Sequence, residues 1–170
     1  LFPKDYRNDV TLGNLVMSVD QDCSPELTAM LGAAIATSIS DIPFDGPIST
    51  TQVGLVDGEF VFNPTSAQRQ VSDLALTVAS TKEKVIMIEA GANEVPEDKM
   101  IEAIFAAHEL NQKVIAFIDT IVAECGKPKH EYQHFSVPEE LFEAIKEIVP
   151  PEEMEQAVFT DDKQTREENI

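Results

Sequence analysis

Residues 130–134 hold the first candidate for chemistry, because His130, Glu131 and His134 spell the H-E-x-x-H pattern of zinc peptidases. In that pattern two histidines one helical turn apart bind the metal, and the glutamate activates a water molecule. The pattern needs a rigid helix. Here it lies in a polar stretch between Pro128 and Pro138 without an apolar stripe. We therefore expect a solvated linker, and a zinc peptidase is the alternative.

Two carboxylates, Asp20 and Asp22, follow an apolar run and form a second candidate. Paired carboxylates after a strand can hold Mg²⁺, whereas aspartates in loops also form turns by bonding their own backbone. No third oxygen donor is evident, so we expect a turn. A vestigial nucleotide or regulatory site at Asp20, Asp22 and Ser24 is the alternative. His108 lies among apolar residues of a predicted helix, and we expect a packed, hydrogen-bonded side chain there.

Ser24, Pro25 and Glu26 occupy the start of a predicted helix, where backbone N–H groups can bind phosphate. Proline removes one N–H group, and the glutamate places an anion in the first turn. This is a poor phosphate cradle. Ser24 has no neighbouring base that would make it a nucleophile, so we expect it to cap the helix.

The elements around these residues follow from periodicity and from turn signals. An apolar run predicts a buried strand over residues 12–19, and small residues at helical spacing predict a helix over 25–40. The dipeptide Asp57-Gly58 suits a two-residue hairpin between strands within residues 48–62. Two further strands are predicted at residues 73–79 and 84–89.

A long amphipathic helix is predicted over residues 96–125, followed by a polar linker over 127–137. Two short acidic helices follow at residues 138–149 and 151–158. Residues 161–170 are mostly charged and end without a cap or an apolar partner. We therefore place a domain boundary at Gly126, with one domain over 1–126 and a linker and the beginning of an all-helical domain over 127–170. The chain does not begin with Met, and we expect Leu1 to lie within a longer polypeptide.

The composition describes a folded and strongly acidic protein of 170 residues, with 43% apolar residues and a net charge of −19. Such a charge repels nucleic acid, so strong RNA binding by this chain alone is not expected. No apolar run reaches the roughly 20 residues that span a bilayer, and no signal peptide is evident. Cys23 and Cys125 form no disulfide framework, which favours a reducing cytoplasmic setting.

Several segments together resemble bacterial polynucleotide phosphorylase, in order and over essentially the whole chain. They are residues 1–9 (LFPKDYRND), 18–26 (SVDQDCSPE), 41–47 (DIPFDGP), 63–65 (NPT), 89–96 (EAGANEVP) and 126–128 (GKP). The resemblance implies an α+β fold: the later part of the first of two ribonuclease-PH-like cores, running into the beginning of an all-helical linker domain. It also implies a homotrimeric parent with a central RNA channel, in which the first cores help to complete the ring.

The resemblance further implies that inorganic phosphate attacks the 3′-terminal phosphodiester of RNA and releases nucleoside diphosphates, with Mg²⁺ in the parent enzyme. In the family's active second core, serines at a helix start hold phosphate, and two Asp and one Lys complete the signature. At the equivalent positions of this chain, the two Asp are replaced by Arg69 and Ala75, and the Lys is replaced by Thr77. The serine positions hold Ser24, Pro25 and Glu26. The resemblance therefore implies a catalytically degenerate core with no catalytic residue and no metal site, and a structural, ring-forming role.

Overall fold

The computed structural model describes all residues from Leu1 to Ile170, which divide into two compact units. Unit 1 comprises Leu1–Tyr132 and unit 2 comprises Gln133–Ile170. Residues 127–132, which the sequence analysis assigned to the linker, lie in unit 1 in the structure. The elements in chain order are α1 (Pro25–Ile39), β1 (Ser49–Val56), β2 (Glu59–Phe62), α2 (Ser66–Val71), β3 (Leu74–Ser80), β4 (Val85–Ala92), α3 (Glu97–Cys125), α4 (Glu139–Ile148), α5 (Pro151–Val158) and α6 (Lys163–Asn169).

A four-stranded antiparallel sheet with the order β2-β1-β3-β4 forms the centre of unit 1. Strands β1 and β2 make the hairpin predicted at Asp57-Gly58, where φ is 52° at Asp57 and 82° at Gly58. Positive φ at both central residues gives the turn a twist that matches the paired strands. The strands are packed by helices, so the predicted α+β fold is confirmed.

The core lies between the sheet and α3. Alternate residues of a strand point to the same face, and Leu74, Leu76 and Val78 of β3 are all buried there. Helix α3 contributes Ala103 and Ala107, both fully buried. Small side chains at these two positions let the helix backbone lie close to the strands. The long predicted helix is thus observed, and its position is set by this contact.

A buried hydrogen-bond network also joins α3 to the sheet. The side chain of Asn111 is fully buried; its Oδ1 accepts a hydrogen bond from Thr51 Oγ1 at 2.8 Å. Its Nδ2 donates to the carbonyl of Val78 at 3.0 Å and to Ser80 Oγ at 2.8 Å. Because buried polar groups are costly without partners, this network fixes the register of α3 on strands β1 and β3.

The buried strand predicted over residues 12–19 is wrong. These residues are irregular, and the side chains of Leu15 and Met17 are 82% and 85% exposed. A strand needs a neighbour that satisfies its backbone groups. The four strands of the sheet pair only with one another, so residues 12–19 have no such neighbour in this chain.

Unit 2 consists of three short helices. Helices α4 and α5 occupy the two predicted acidic segments. Helix α6 lies within the charged residues 161–170, and Asp162 caps its N-terminus by accepting a hydrogen bond from the backbone N–H of Thr165 at 2.8 Å. None of the helices in the chain combines the length and the apolar composition needed to cross a membrane.

Candidate functional site

The N-terminus of α1 positions the first group of candidate residues. Ser24 is the N-cap of α1, and its Oγ accepts a hydrogen bond from the N–H of Leu27 at 3.3 Å. The same hydroxyl donates to a carboxylate oxygen of Glu26 at 2.6 Å. Pro25 occupies the first turn. The Ser24 hydroxyl is therefore engaged in capping rather than held beside a base.

Glu26 brings a negative charge to this helix start. The hydrogen bond from Ser24, the backbone N–H of Glu26 and the charge of Arg69 lower the pKa of Glu26 below its usual 4.5. The first turn of a helix favours such an anion through its free N–H groups and its dipole. A second anion, such as phosphate, would meet the repulsion of this carboxylate.

Asp20 and Asp22 form the turn that precedes α1. The N–H of Asp22 donates to Oδ1 of Asp20 at 2.9 Å, which is the local bonding typical of aspartate in turns. Oδ1 of Asp22 accepts from the N–H of Ser66 at 3.4 Å, at the start of α2. Both aspartates are exposed. The structure therefore shows the turn that the sequence favoured.

Arg69 links this turn to α2. Its guanidinium donates to the carbonyl of Pro64 at 2.5 Å, to Ser66 Oγ at 2.9 Å and to the carbonyl of Gln21 at 3.3 Å. Three neutral acceptors on two loops thus surround one positive charge. Arg69 holds the turn of Asp20 and Asp22 against the beginning of α2, which is a structural task.

Sequence reasoning missed α2 itself, because no element was predicted between residues 62 and 73. Thr65 and Gln68 form a reciprocal capping box: Thr65 Oγ1 accepts from the N–H of Gln68, and Gln68 Oε1 accepts from the N–H of Thr65. The pattern Thr-x-x-Gln is a recognised signal for a helix start. It was present in the sequence and would have identified this helix.

The three residues that the family resemblance compares with the catalytic Asp, Asp and Lys line one small cavity of about 140 Å³. Arg69 of α2 and Ala75 and Thr77 of β3 line it, together with Gln52 and Pro64. Ala75 and Thr77 point to the same face of β3 because side chains alternate along a strand. The structure thus brings together the three residues that the family resemblance compares with the Asp, Asp and Lys of the active core.

Ser24 and Asp22 line a separate cavity of about 200 Å³, which shares Gln52 and Pro64 with the cavity of Arg69. Asp20 and Pro25 line a third, more open cavity of about 520 Å³ beside the irregular residues 14–19. Glu26 lines none of the three. The residues of the suggested vestigial site are therefore neighbours but do not face one common cavity.

The donor set of the cavity lined by Arg69 does not fit Mg²⁺. The cation prefers oxygen ligands from carboxylates, and Arg69, Ala75 and Thr77 offer a guanidinium, a methyl group and a hydroxyl instead. No group of three or more His, Cys, Asp or Glu side chains in the chain is arranged to hold a metal ion.

The histidine candidates are placed away from these cavities. The H-E-x-x-H residues lie in an irregular segment, so the helix that the zinc pattern requires is not formed. His130 instead contacts Tyr6, with Nε2 3.2 Å from the tyrosine hydroxyl. His108 is half-buried on α3, with ring nitrogens 3.4 Å from Nε2 of Gln112.

Comparison with known proteins identifies the class first. Residues 46–109, which include β1 to β4 and the first half of α3, match the 3′ exoribonuclease family, domain 2. The fold also resembles the crystal structure of rice (Oryza sativa) Rrp46, with a TM-score of 0.51 over 62% of this chain and 51% of that chain. At 20% identity, this likeness shows the fold alone. The four-stranded sheet therefore lies within the residues that match this domain.

The full-length similarity is more specific. The chain is 79% identical over all 170 residues to polyribonucleotide nucleotidyltransferase of Lachnoclostridium phytofermentans. It is 52% identical to the protein of that name from Ruminiclostridium cellulolyticum and 48% to that from Clostridioides difficile, again over its whole length. The chain belongs to this family, as the resemblance indicated, and spans about a quarter (24%) of the length of these curated relatives.

Proposed function

We propose that this chain is the non-catalytic first core of a phosphate-dependent 3′-to-5′ exoribonuclease and RNA-polymerising nucleotidyltransferase that acts in RNA turnover. The similarity to polyribonucleotide nucleotidyltransferases along all 170 residues supports the activity of the parent polypeptide. Residues 1–126 would then form the later part of that core. Residues 127–170 would form the linker and the beginning of the all-helical domain.

The cavity lined by Arg69, Ala75 and Thr77 carries the non-catalytic assignment. Phosphoryl transfer concentrates negative charge that cations and hydrogen-bond donors must stabilise, and Mg²⁺ needs carboxylates to hold it. This cavity offers no carboxylate, and Arg69 is already bonded to three protein oxygens. Nearby, Glu26 occupies the helix start with an anion of its own. The residues of this chain would therefore take no part in the reaction.

The remaining role is architectural. We propose that the parent is a cytoplasmic homotrimer, in which this core helps to close a ring around RNA, and that Mg²⁺ and inorganic phosphate bind elsewhere in the parent. The net charge of −19 supports an architectural role for this chain, because RNA contacts would have to come from more basic parts of the parent.

The experiment has two arms. The isolated chain, incubated with RNA, phosphate and Mg²⁺, should release no nucleoside diphosphates. The full-length polypeptide should release them, and the variant Arg69→Ala in that polypeptide should keep its rate per folded molecule. Release by the isolated chain that is lost on Asp22→Asn would overturn the non-catalytic assignment. An inactive full-length polypeptide would overturn the parent activity.

A second candidate is a vestigial nucleotide or regulatory site at Asp20, Asp22 and Ser24. The cavity of about 200 Å³ supports it, because the amide side chains of Gln52 and Asn63 line it beside Asp22 and Ser24. Calorimetry with guanine nucleotides tests it, with Ser24→Ala as the matched variant. Saturable heat that Ser24→Ala abolishes would support the site, and heat at the dilution level would exclude it.

A further inference from the structure

Residues 127–132 lie on unit 1 although they follow the end of α3. Two backbone hydrogen bonds join them to the end of α1 and the segment after it: the N–H of Lys127 donates to the carbonyl of Ile39 at 2.9 Å, and the N–H of His130 donates to the carbonyl of Asp41 at 2.7 Å. These contacts connect parts of the chain that are about ninety residues apart. We call residues 127–132 the strap.

The centre of the strap is the ammonium of Lys129. Its Nζ donates to the carbonyls of Thr37 at 3.1 Å, Ser38 at 3.0 Å and Ser40 at 2.7 Å. The last carbonyls of a helix have no partner within the helix and carry partial negative charge. Three of the carbonyls at the end of α1 thus converge on a single cation, although α1 has no basic residue of its own in its last turn.

The three bonds offset the desolvation cost of partly burying this cation. Partial burial lowers the pKa of Lys129 from its usual 10.5, and the charge of Asp41 opposes that shift. Hydrogen bonds to a charged donor are stronger than those between neutral groups. A neutral side chain at position 129 would remove the three charge-assisted bonds to this end of α1 and would leave the carbonyls of Ser38 and Ser40 without this donor.

The aromatic residues of the strap contact the N-terminal residues of the chain. The hydroxyl of Tyr132 donates to Oδ1 of Asp5 at 2.9 Å, and its ring meets Tyr6 edge to face, with centroids 5.1 Å apart. Tyr6 also contacts His130, and Nδ1 of His130 lies 3.8 Å from Oδ2 of Asp41. The strap therefore joins the N-terminal residues, the end of α1 and the end of α3 at one place.

We propose that residues 127–132 are a strap that the positive charge of Lys129 fastens to unit 1, and that this strap opens when the charge is removed. The strap determines where the chain leaves unit 1, because unit 2 begins at the next residue, Gln133. If the strap opened, residues 127–132 would become part of the connection between the two units. The proposal does not depend on the proposed function, since it uses only contacts within unit 1.

Amide hydrogen exchange of the 170-residue chain at neutral pH tests the strap. In Lys129→Gln, the amides of Lys127 and His130 should exchange about tenfold faster or more, because bonds to a charged donor are lost. The matched variant Lys127→Gln removes a positive charge two residues away, from a side chain that makes none of these bonds. Its exchange should stay within about twofold of the parent chain.

The fold of each variant is checked by the amides of Leu76 and Val78 in β3, which should remain protected. A second variant, Tyr132→Phe, keeps the charge and removes one hydroxyl, and should speed exchange by less than Lys129→Gln. Unchanged exchange in Lys129→Gln would overturn the proposal. Equal acceleration in both Gln variants would overturn it as well, since the effect would then be one of net charge and not of the three bonds.

Discussion

The buried network of Asn111 allows the most detailed stability prediction. The variant Asn111→Ala removes three side-chain hydrogen bonds, each worth about 1 kcal/mol in net stability. It also removes side-chain volume of about 25–30 Å³ from a fully buried position, which adds roughly 0.6 kcal/mol at about 24 cal/mol per Å³. The expected loss of unfolding free energy in unit 1 is therefore about 4 kcal/mol.

Native-state hydrogen exchange is the suitable assay, because it reads unit 1 alone in a chain that has two units and need not unfold in one step. A loss of about 4 kcal/mol should accelerate exchange of the β3 amides at Leu76 and Val78 roughly a thousandfold. Lys113→Ala, at an exposed position of the same helix, should change the stability by less than about 0.5 kcal/mol.

A second variant separates the hydrogen bonds from the volume. Asn111→Leu keeps the number and branching of the side-chain heavy atoms but makes the side chain apolar. It leaves Thr51, Ser80 and the carbonyl of Val78 without this partner, so it should still cost about 2–3 kcal/mol. If Asn111→Leu were as stable as the parent chain, the network would contribute nothing and the reasoning would be refuted.

Three further changes test local features of the fold. The backbone N–H of Thr165 holds the pKa of the Asp162 carboxylate below 3.8. The cap of α6 should therefore be intact above that value and lost as the pH falls through the lowered pKa. The amide chemical shift of Thr165 should report this loss, and Asp162→Asn should abolish the titration. Gly58→Val should destabilise the β1–β2 hairpin by about 1–2 kcal/mol, because φ is 82° there, and urea unfolding should show it. Ser24→Ala should cost about 1 kcal/mol through loss of the α1 cap, and an unchanged midpoint would contradict this.

Sequence patterns predicted the hairpin and the long helix because each depends on local chemistry. Asp57-Gly58 accepts positive φ in any context, and apolar residues recur at helical spacing along α3. The segment at residues 12–19 failed for the opposite reason. Its composition suits a strand, but a strand also requires a partner, and no local pattern shows whether a partner exists.

The candidate site was likewise predictable only in part. The family resemblance pointed to Arg69, Ala75 and Thr77, and the structure places all three in one cavity. The bond from Arg69 to the carbonyl of Gln21 could not be foreseen, because it joins positions 48 residues apart in the chain. The strap was likewise hidden, since the linker composition of residues 127–132 gives no sign that Lys129 reaches the carbonyls of α1.

The central claim is that the cavity beneath Arg69 lacks the charges needed to hold a metal ion and phosphate. Its most direct test is a titration of the isolated chain with Mg²⁺ in the presence of inorganic phosphate, followed through the amide shifts of Ala75 and Thr77. We predict no saturable change at these two amides. Saturable shifts at both amides would contradict the claim.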